Sequence, residues 1–265
     1  MNTIILNNGV EMPLMGYGTY QEAERITEGD VAEALRAGYR SIDTAQWYCN
    51  EREVGAACRK SGIPREELFI TTKLWACRGY ADTLRSIDSS LLALGVGYID
   101  LMLIHEPGGD EPEIYRAMET ALRAGKLRAI GVSNFLSDKY SALLSRCEII
   151  PAVNQMETHI FCQQRELRRL EAQHGTAHES WSPLACGRNG IFRHPALVEI
   201  ARELGATPAQ VALRFLTQQG IIAIPKTTHP DRMRENLASL HLTLTPDHLA
   251  TLTNLDTNRS LFGWW

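Results

Sequence analysis

The sequence lacks the features that mark several specialised classes of protein. Its 265 residues contain no apolar run of about 18 or more, and the segment Met1 to Val10 has no basic stretch followed by a long apolar one. These absences predict a cytoplasmic chain with no membrane span. The formal net charge of −4 offers no basic face for nucleic acid. We expect a small, neutral or anionic metabolite as the partner.

Cysteine motifs and flexible linkers are also missing. The six cysteines are scattered without a CxxC pair, which argues against a disulfide framework and a zinc site and predicts free thiols. No segment rich in proline, glycine or serine interrupts the chain. Because 44% of the residues are hydrophobic, one large core can form, and we predict a single domain over residues 1–265.

Short apolar runs alternate with longer amphipathic stretches, which predicts βα units around a parallel sheet. The predicted strands are Leu14–Thr19, Tyr39–Asp43, Leu68–Lys73, Tyr98–His105, Leu127–Ser133, Ala152–Gln155, Gly175–Trp181 and Gly220–Pro225. Eight strands of this kind predict an α/β fold, the (β/α)8 or TIM barrel. Polar residues over 174–180 leave open whether the seventh strand is regular, because barrel strands normally carry apolar residues.

Helical patterns fill the intervals between these strands. They cover Asp30–Ala37, Glu51–Ser61, Thr83–Leu94, Glu113–Ala124, Asp138–Arg146, Gln163–Gln173, Pro195–Leu204 and Asp231–Ser239. Two added helices are expected at Thr207–Gln219 and Pro246–Asn254, where Thr-Pro marks a helix start. Before the first strand, Asn8-Gly9 predicts an N-terminal β-hairpin that caps the barrel floor.

Ionisable residues end three consecutive predicted strands. Asp43 ends the second, Lys73 the third and His105 the fourth, and Tyr48 lies in the loop after Asp43. The carboxyl ends of the strands form the active-site face of such a barrel, so we expect these side chains to meet there. Each residue alone has an ordinary structural explanation, as a cap, a packing residue or a satisfied core histidine.

Together, these four residue types suit proton transfer. An unperturbed tyrosine titrates at about 10, so a general acid at neutral pH needs its pKa lowered by roughly 2 to 3 units. We expect Lys73 to lower the pKa of Tyr48, and Asp43 to hold Lys73 charged and in place. His105 is expected to donate a hydrogen bond to a carbonyl oxygen and to orient the substrate.

These residues stand within longer motifs: Gly38–Ala45, Thr72–Trp75, Asp100–His105, Gly131–Phe135, Val153–Gln155, Trp181–Leu184 and Ile224–Lys226. In combination, the motifs closely resemble the aldo-keto reductases over nearly the whole chain, nearest the bacterial 2,5-diketo-D-gluconate reductase-like members. The resemblance implies an NADPH-dependent oxidoreductase with a catalytic tetrad of Asp43, Tyr48, Lys73 and His105. Its substrates would be small aldehydes, ketones or dicarbonyls like diketogluconate or methylglyoxal, with Tyr48 as general acid. It also makes a monomer the default.

The resemblance further implies a site for NADP(H). Ser133, Asn134 and Gln155 match positions that hydrogen-bond the nicotinamide carboxamide, and Lys226 and Arg232 offer cations for a 2'-phosphate, which favours NADP over NAD. The expected cofactor-binding set is Thr19, Asp43, Ser133, Asn134, Gln155, Trp181, Ser182, Leu184, Lys226, Thr227, Arg232, Glu235 and Asn236. The first predicted strand is not followed by GxGxxG, which disfavours a Rossmann dehydrogenase.

Two positions depart from the family pattern. Trp181 stands where a tyrosine is usual, and Glu106 follows His105 where a tryptophan is common, which puts a carboxylate near the substrate mouth. The expected substrate pocket is formed by Tyr20, Trp47, Trp75, Glu106 and Trp265.

Two other functions stay open. A nicotinamide-binding sensor or regulatory subunit is disfavoured by the intact tetrad. A metal-dependent hydrolase with Asp43, His105 and Glu106 as ligands lacks the HxH motif expected at its first strand, and Lys73 would repel the cation. We therefore expect no metal.

Overall fold

The computed structural model describes residues 2–20 and 26–263 and contains a closed barrel. Its strands are β1 (Thr3–Ile5), β2 (Glu11–Pro13), β3 (Tyr17–Gly18), β4 (Ser41–Asp43), β5 (Phe69–Leu74), β6 (Ile99–Ile104), β7 (Leu127–Ser133), β8 (Val153–Glu157), β9 (Ala177–Trp181) and β10 (Ile222–Ala223). Strands β3 to β10 form one parallel sheet in chain order. Met15 pairs in parallel with Ala223, which closes the sheet. The predicted (β/α)8 barrel is confirmed.

The predicted hairpin precedes the barrel. Strands β1 and β2 pair in antiparallel fashion. The Asn8 and Asn7 side chains donate to the carbonyls of Arg128 and Pro151, which lie near the amino ends of β7 and β8. The hairpin residues Leu6 and Met12 are buried in the cluster inside the barrel. The hairpin therefore covers the barrel floor, opposite the face where the strands end.

Ten helices are present in the described ranges. They are α1 (Glu28–Ala37), α2 (Glu51–Lys60), α3 (Tyr80–Leu94), α4 (Glu111–Arg123), α5 (Ser137–Leu144), α6 (Arg165–Gln173), α7 (Pro195–Leu204), α8 (Pro208–Thr217), α9 (Pro230–Ala238) and α10 (Pro246–Thr253). None of these helices is long and apolar enough to cross a membrane. Gly38 and Gly205 end α1 and α7 in the left-handed conformation that favours glycine.

Two helices, α7 and α8, lie between β9 and β10, and their packing shows which of them belongs to the barrel and which is added. Helix α8 lies against β10 and α9, as a barrel helix does, whereas α7 lies on α8 and α10. The added helix there is therefore α7, and not the segment Thr207–Gln219 named from the sequence. Both segments carry good start signals, and such signals do not reveal where a helix docks.

The polar seventh barrel strand is regular, because its polar side chains find partners. Strand β9 pairs in parallel with both β8 and β10. The His178 ring contacts the Glu171 carboxylate at 2.6 Å and the Thr158 hydroxyl at 2.7 Å, and the Ser180 hydroxyl donates to the Thr158 carbonyl. Buried polar groups are tolerated when they are hydrogen-bonded in this way.

Candidate active site

The two-residue repeat of the strands sorts their side chains between the barrel interior and the surrounding helices. In β6, Leu101 and Leu103 lie in the interior cluster, whereas Met102 and Ile104 lie in the cluster under the helices. His105 continues the inward series at the strand end. The inward positions at the ends of the neighbouring strands are Asp43, Lys73, Ser133, Gln155 and Trp181.

Asp43 and Lys73 form a buried ion pair. Their side chains are 3% and 0% exposed, and Lys73 Nζ lies 2.5 Å from Asp43 Oδ1. Lys73 also donates to the Thr44 carbonyl at 3.0 Å. Burial is the largest single effect and lowers the pKa of Lys73, but Asp43, Tyr48 and Glu179 together outweigh it, and the pKa lies above its ordinary value. Lys73 is therefore a fixed cation, as expected from the sequence.

Tyr48 reaches this pair from the short 3₁₀ turn Gln46–Tyr48 after β4. Its Oη lies 3.4 Å from Lys73 Nζ. The Gln46 side chain anchors the turn by bonding the Ser86 and Ser90 hydroxyls and the Trp75 amide. The phenol is thereby brought to the strand ends, where the sequence placed it.

Lys73 lowers the pKa of Tyr48 as expected, but the net pKa lies above its ordinary value. Burial raises the pKa of Tyr48 to about 12; Lys73 lowers it, but Asp43 raises it. Because Asp43 lies within 2.5 Å of the ammonium, it cancels much of the field that Lys73 exerts on the phenol. At neutral pH, Tyr48 is a protonated phenol.

His105 is a neutral imidazole. Burial, with a smaller contribution from Lys73, lowers its pKa to about 3. The ring makes edge contacts with Tyr48 and Trp75, at 5.5 and 5.3 Å between centroids. Its buried Nδ1 has no hydrogen-bond partner within the described residues. The ring can therefore offer one N–H donor without adding a second cation beside Lys73.

Gln155 presents a defined group to the cavity. Its Nε2 donates at 2.9 Å to both Asp43 Oδ2 and Glu179 Oε2, which uses both N–H bonds of the amide. The amide oxygen is left as an acceptor on the cavity wall that Gln155 lines. This acceptor suits the amino group of a carboxamide, so the residues present fit a nicotinamide ring.

Glu179 is a buried carboxyl at this site that was not among the residues expected from the sequence. It is fully buried, and burial, followed by the nearby Asp43 charge, raises its pKa to about 8. The sequence signal that could have identified it is its position in β9, two residues before Trp181, because residues two apart in a strand lie on the same face. The neutral form it favours fits a site where a second full negative charge beside Asp43 would be costly.

Asn134 hydrogen-bonds both residues that depart from the family pattern, Glu106 and Trp181. Its Nδ2 donates to Glu106 Oε1 at 2.8 Å, and its Oδ1 accepts from Trp181 Nε1, also at 2.8 Å. Burial raises the pKa of Glu106 to about 7, although the Asn134 hydrogen bond and Lys73 lower it. An Asn134 contact with nicotinamide would therefore compete with these two bonds.

A cavity of about 530 Å³ opens onto these groups. It brings together most of the expected residues, namely Tyr20, Asp43, Trp47, Tyr48, Trp75, His105, Glu106, Ser133, Asn134, Gln155, Trp181, Ser182, Leu184 and Lys226. Phe192 and Phe262 also line it, and were missed because they lie in irregular segments far along the chain. The expected pocket residue Trp265 lies outside the described residues.

The other expected cofactor residues lie outside this lining. Thr19 is buried and donates to the Asp43 carbonyl, and the Thr227 hydroxyl accepts from the His229 amide. Arg232 is exposed on α9, while Asn236 is buried there. The Glu235 carboxylate accepts from the Thr207 hydroxyl at 2.5 Å and thereby ties α9 to the start of α8.

Metal ligands are not clustered in residues 2–20 and 26–263: no group of three or more His, Cys, Asp or Glu side chains could hold an ion there. The pair of Lys73 with Asp43 instead places a cation among the candidate ligands of a metal hydrolase.

Comparison with known proteins agrees with this arrangement. The model of the Aldo/keto reductase family matches residues 12–257. The chain belongs to the aldo/keto reductase family. It is 41% identical over 266 residues to a 9,11-endoperoxide prostaglandin H2 reductase of Trypanosoma cruzi, covering 99% of this chain and 94% of that one. A morphine 6-dehydrogenase of Pseudomonas putida is 39% identical over 269 residues, covering 96% and 91%.

Solved structures of family members share the fold. An aldo-keto reductase from a Medee basin deep-sea metagenome library superimposes with a TM-score of 0.94 at 38% identity, covering 98% of this chain and 97% of that one. A Bombyx mori aldo-keto reductase in complex with NADP gives 0.92 at 32% identity, covering 98% and 94%. As a member of this family, the chain is an oxidoreductase that reduces carbonyl groups, which confirms the predicted reaction class.

Proposed function

We propose that this aldo-keto reductase uses NADPH to reduce small aldehydes, ketones or dicarbonyls to alcohols, with Tyr48 as general acid. The observation that carries the proposal is Lys73, whose Nζ contacts Asp43 at 2.5 Å and Tyr48 at 3.4 Å beneath the cavity. The proposed substrate class includes compounds similar to diketogluconate and to methylglyoxal.

When bound, NADPH supplies the hydride that adds to the carbonyl carbon. The chain supplies the proton: the Tyr48 O–H bond breaks, and the proton goes to the oxygen that gains negative charge. Lys73 stabilises the resulting tyrosinate at 3.4 Å. Neutral His105 donates its remaining N–H to the same oxygen and orients the carbonyl. Before substrate binds, both groups that would contact the carbonyl oxygen, Tyr48 and His105, are uncharged.

Two groups of residues would hold the cofactor. Ser133, Asn134 and Gln155 would hydrogen-bond the nicotinamide carboxamide, with Trp181 in the same cavity lining; Asn134 would do so in competition with its bonds to Glu106 and Trp181. Lys226 and Arg232 would hold the 2'-phosphate of the adenosine end, with Thr19, Ser182, Leu184, Thr227, Glu235 and Asn236 in support. The NADP complex of the Bombyx mori relative supports this choice of cofactor.

The names of the relatives leave the substrate open, since one is named for prostaglandin H2 and the other for morphine. We propose that the chain acts as a single-domain, cytoplasmic monomer on small metabolites and binds neither nucleic acid nor membrane. A diketogluconate reductase-like specificity is one form of this activity.

The test follows the loss of NADPH absorbance over a panel of small aldehydes and α-dicarbonyls. Tyr48→Phe should reduce turnover by roughly a thousandfold while NADPH still binds, because the proton donor is lost without a change in shape. Tyr80→Phe, on α3 outside the cavity lining, is the matched control. Equal turnover in Tyr48→Phe and wild type would refute the mechanism. NADPH binding without turnover in the wild type would favour the sensor instead.

A further inference from the structure

Glu106 differs from the other carboxylate of the cavity. Asp43 and Glu106 are the two in the described lining. Asp43 is neutralised by Lys73, whereas no ion pair to Glu106 occurs within the described residues. Asn134 holds one oxygen of Glu106, at 2.8 Å. The other oxygen remains available to a donor that enters the cavity. Because the pKa of Glu106 is about 7, the ionised form is present at neutral pH, and an entering cation would favour that form further.

Aromatic side chains line the same cavity as this carboxylate. Trp47 stacks on Tyr20 and Trp75, with centroids 5.5 and 5.4 Å apart. Trp75 and Glu106 also line an adjoining cavity of about 320 Å³. Indole and phenol faces attract cations and leave room for the apolar groups around them. Trp47 uses its faces in these two stacks, so Trp75, which lines both cavities together with Glu106, is the ring placed to contact a cation. An aromatic ring near one carboxylate is suited to an ammonium group rather than an anion.

Lys226, which lies in the described lining, and Lys73, which lies outside it, form no ion pair with Glu106 among the described residues, although the charge of Lys73 lowers the pKa of Glu106. Lys73 is fully buried and paired with Asp43. Lys226 follows β10, and its Cβ would lie 3.7 Å from a Cβ on Gly18, on the wall formed by the first and last barrel strands. Glu106, in contrast, follows β6 and adjoins His105 in the chain. Its side chain therefore lines the same cavity as Tyr48 and His105, the two groups proposed to contact the carbonyl oxygen.

We propose that Glu106 and the aromatic ring of Trp75 form a subsite for an ammonium group, so that carbonyl compounds carrying a protonated amine are preferred substrates. This rests on the reductase activity proposed above and specifies its substrate class. It departs from the sequence-based expectation of a neutral or anionic metabolite, and within the substrate class proposed above it disfavours anions such as diketogluconate.

The test compares three aldehydes of nearly the same shape with NADPH. These are 4-(dimethylaminomethyl)benzaldehyde, which is cationic at neutral pH, its neutral isostere 4-isobutylbenzaldehyde, and anionic 4-formylphenylacetate. We expect the kcat/KM of the cation to exceed that of the isostere by about tenfold or more, and the anion to be the poorest substrate, because a charged hydrogen bond contributes roughly this much.

Two variants assign the preference to the carboxylate. In Glu106→Gln, the amide oxygen can still accept from Asn134, but the charge is gone, and the cation-to-isostere ratio should fall to near one. Asp110→Asn removes an exposed charge from the same loop outside the lining and should keep the wild-type ratio.

A wild-type ratio near one, a preference for the anion, or a ratio unchanged in Glu106→Gln would overturn the ammonium subsite and leave the reductase intact. The wild-type ratio needs no variant to fold. Failure to reduce any of the three aldehydes, or the wider panel, would refute the reductase and the subsite with it.

Discussion

Replacement of Lys73 by methionine removes one charge of a buried pair while keeping a long unbranched side chain. The two partners are 0% and 3% exposed and lie 2.5 Å apart. At an effective dielectric constant of about 20, two unit charges at this distance attract by roughly 7 kcal/mol. Desolvation costs several kcal/mol for each ion, so the intact pair contributes little net stability. Its disruption leaves Asp43 buried without its cation, which should cost about 3–5 kcal/mol.

Urea unfolding of four proteins measures this coupling: wild type, Lys73→Met, Asp43→Asn and the double variant. Each single variant should lose about 3–5 kcal/mol of unfolding free energy. The double variant should lose markedly less than the sum, because it buries no unpaired charge. Strictly additive losses would refute the claim that the pair is coupled through charge.

Three further predictions concern single positions. Arg232→Ala should weaken NADPH binding about tenfold more than NADH binding, with the exposed Arg234→Ala on the same helix as control; equal weakening of both cofactors counts against a 2'-phosphate role. Burial raises the pKa of Glu106 to about 7 in the folded protein, compared with about 4.3 in the unfolded chain. Protonation of Glu106 therefore stabilises the fold fully below about pH 4.3, and this stabilisation is lost as the pH rises through about 7. Glu106→Gln should therefore flatten the fall in Tm across that window, and an unchanged slope would contradict this. Gly131→Ala places a Cβ 2.3 Å from the Val153 carbonyl oxygen and should cost about 1–3 kcal/mol; Gly97→Ala, with nothing within 4 Å, should not.

The local sequence pattern was enough to predict the barrel and the positions of three side chains at the candidate site. The alternation of strand and helix segments is a property of consecutive residues, and so is the two-residue repeat that turns Asp43, Lys73 and His105 inward. Parallel strands then bring their carboxyl ends to one face whatever the intervening sequence. The positions of Tyr48 and of most expected lining residues followed from the family motifs.

The features that could not be predicted from the sequence depend on contacts between segments that are distant in the chain. Glu179 meets Gln155 across neighbouring strands, and Asn134 joins Glu106 to Trp181 over 28 and 47 residues of chain. No local pattern records such contacts. The same reason explains why α7 rather than α8 is the added helix, since docking depends on which surface is free.

The sequence by itself determined the fold and the residue types at the strand ends, because both follow from local periodicity. Only the tertiary structure decided the electrostatics. Whether burial or a neighbouring charge dominates a pKa depends on distances that folding sets, and for Tyr48 and Glu106 burial outweighs the favourable neighbours.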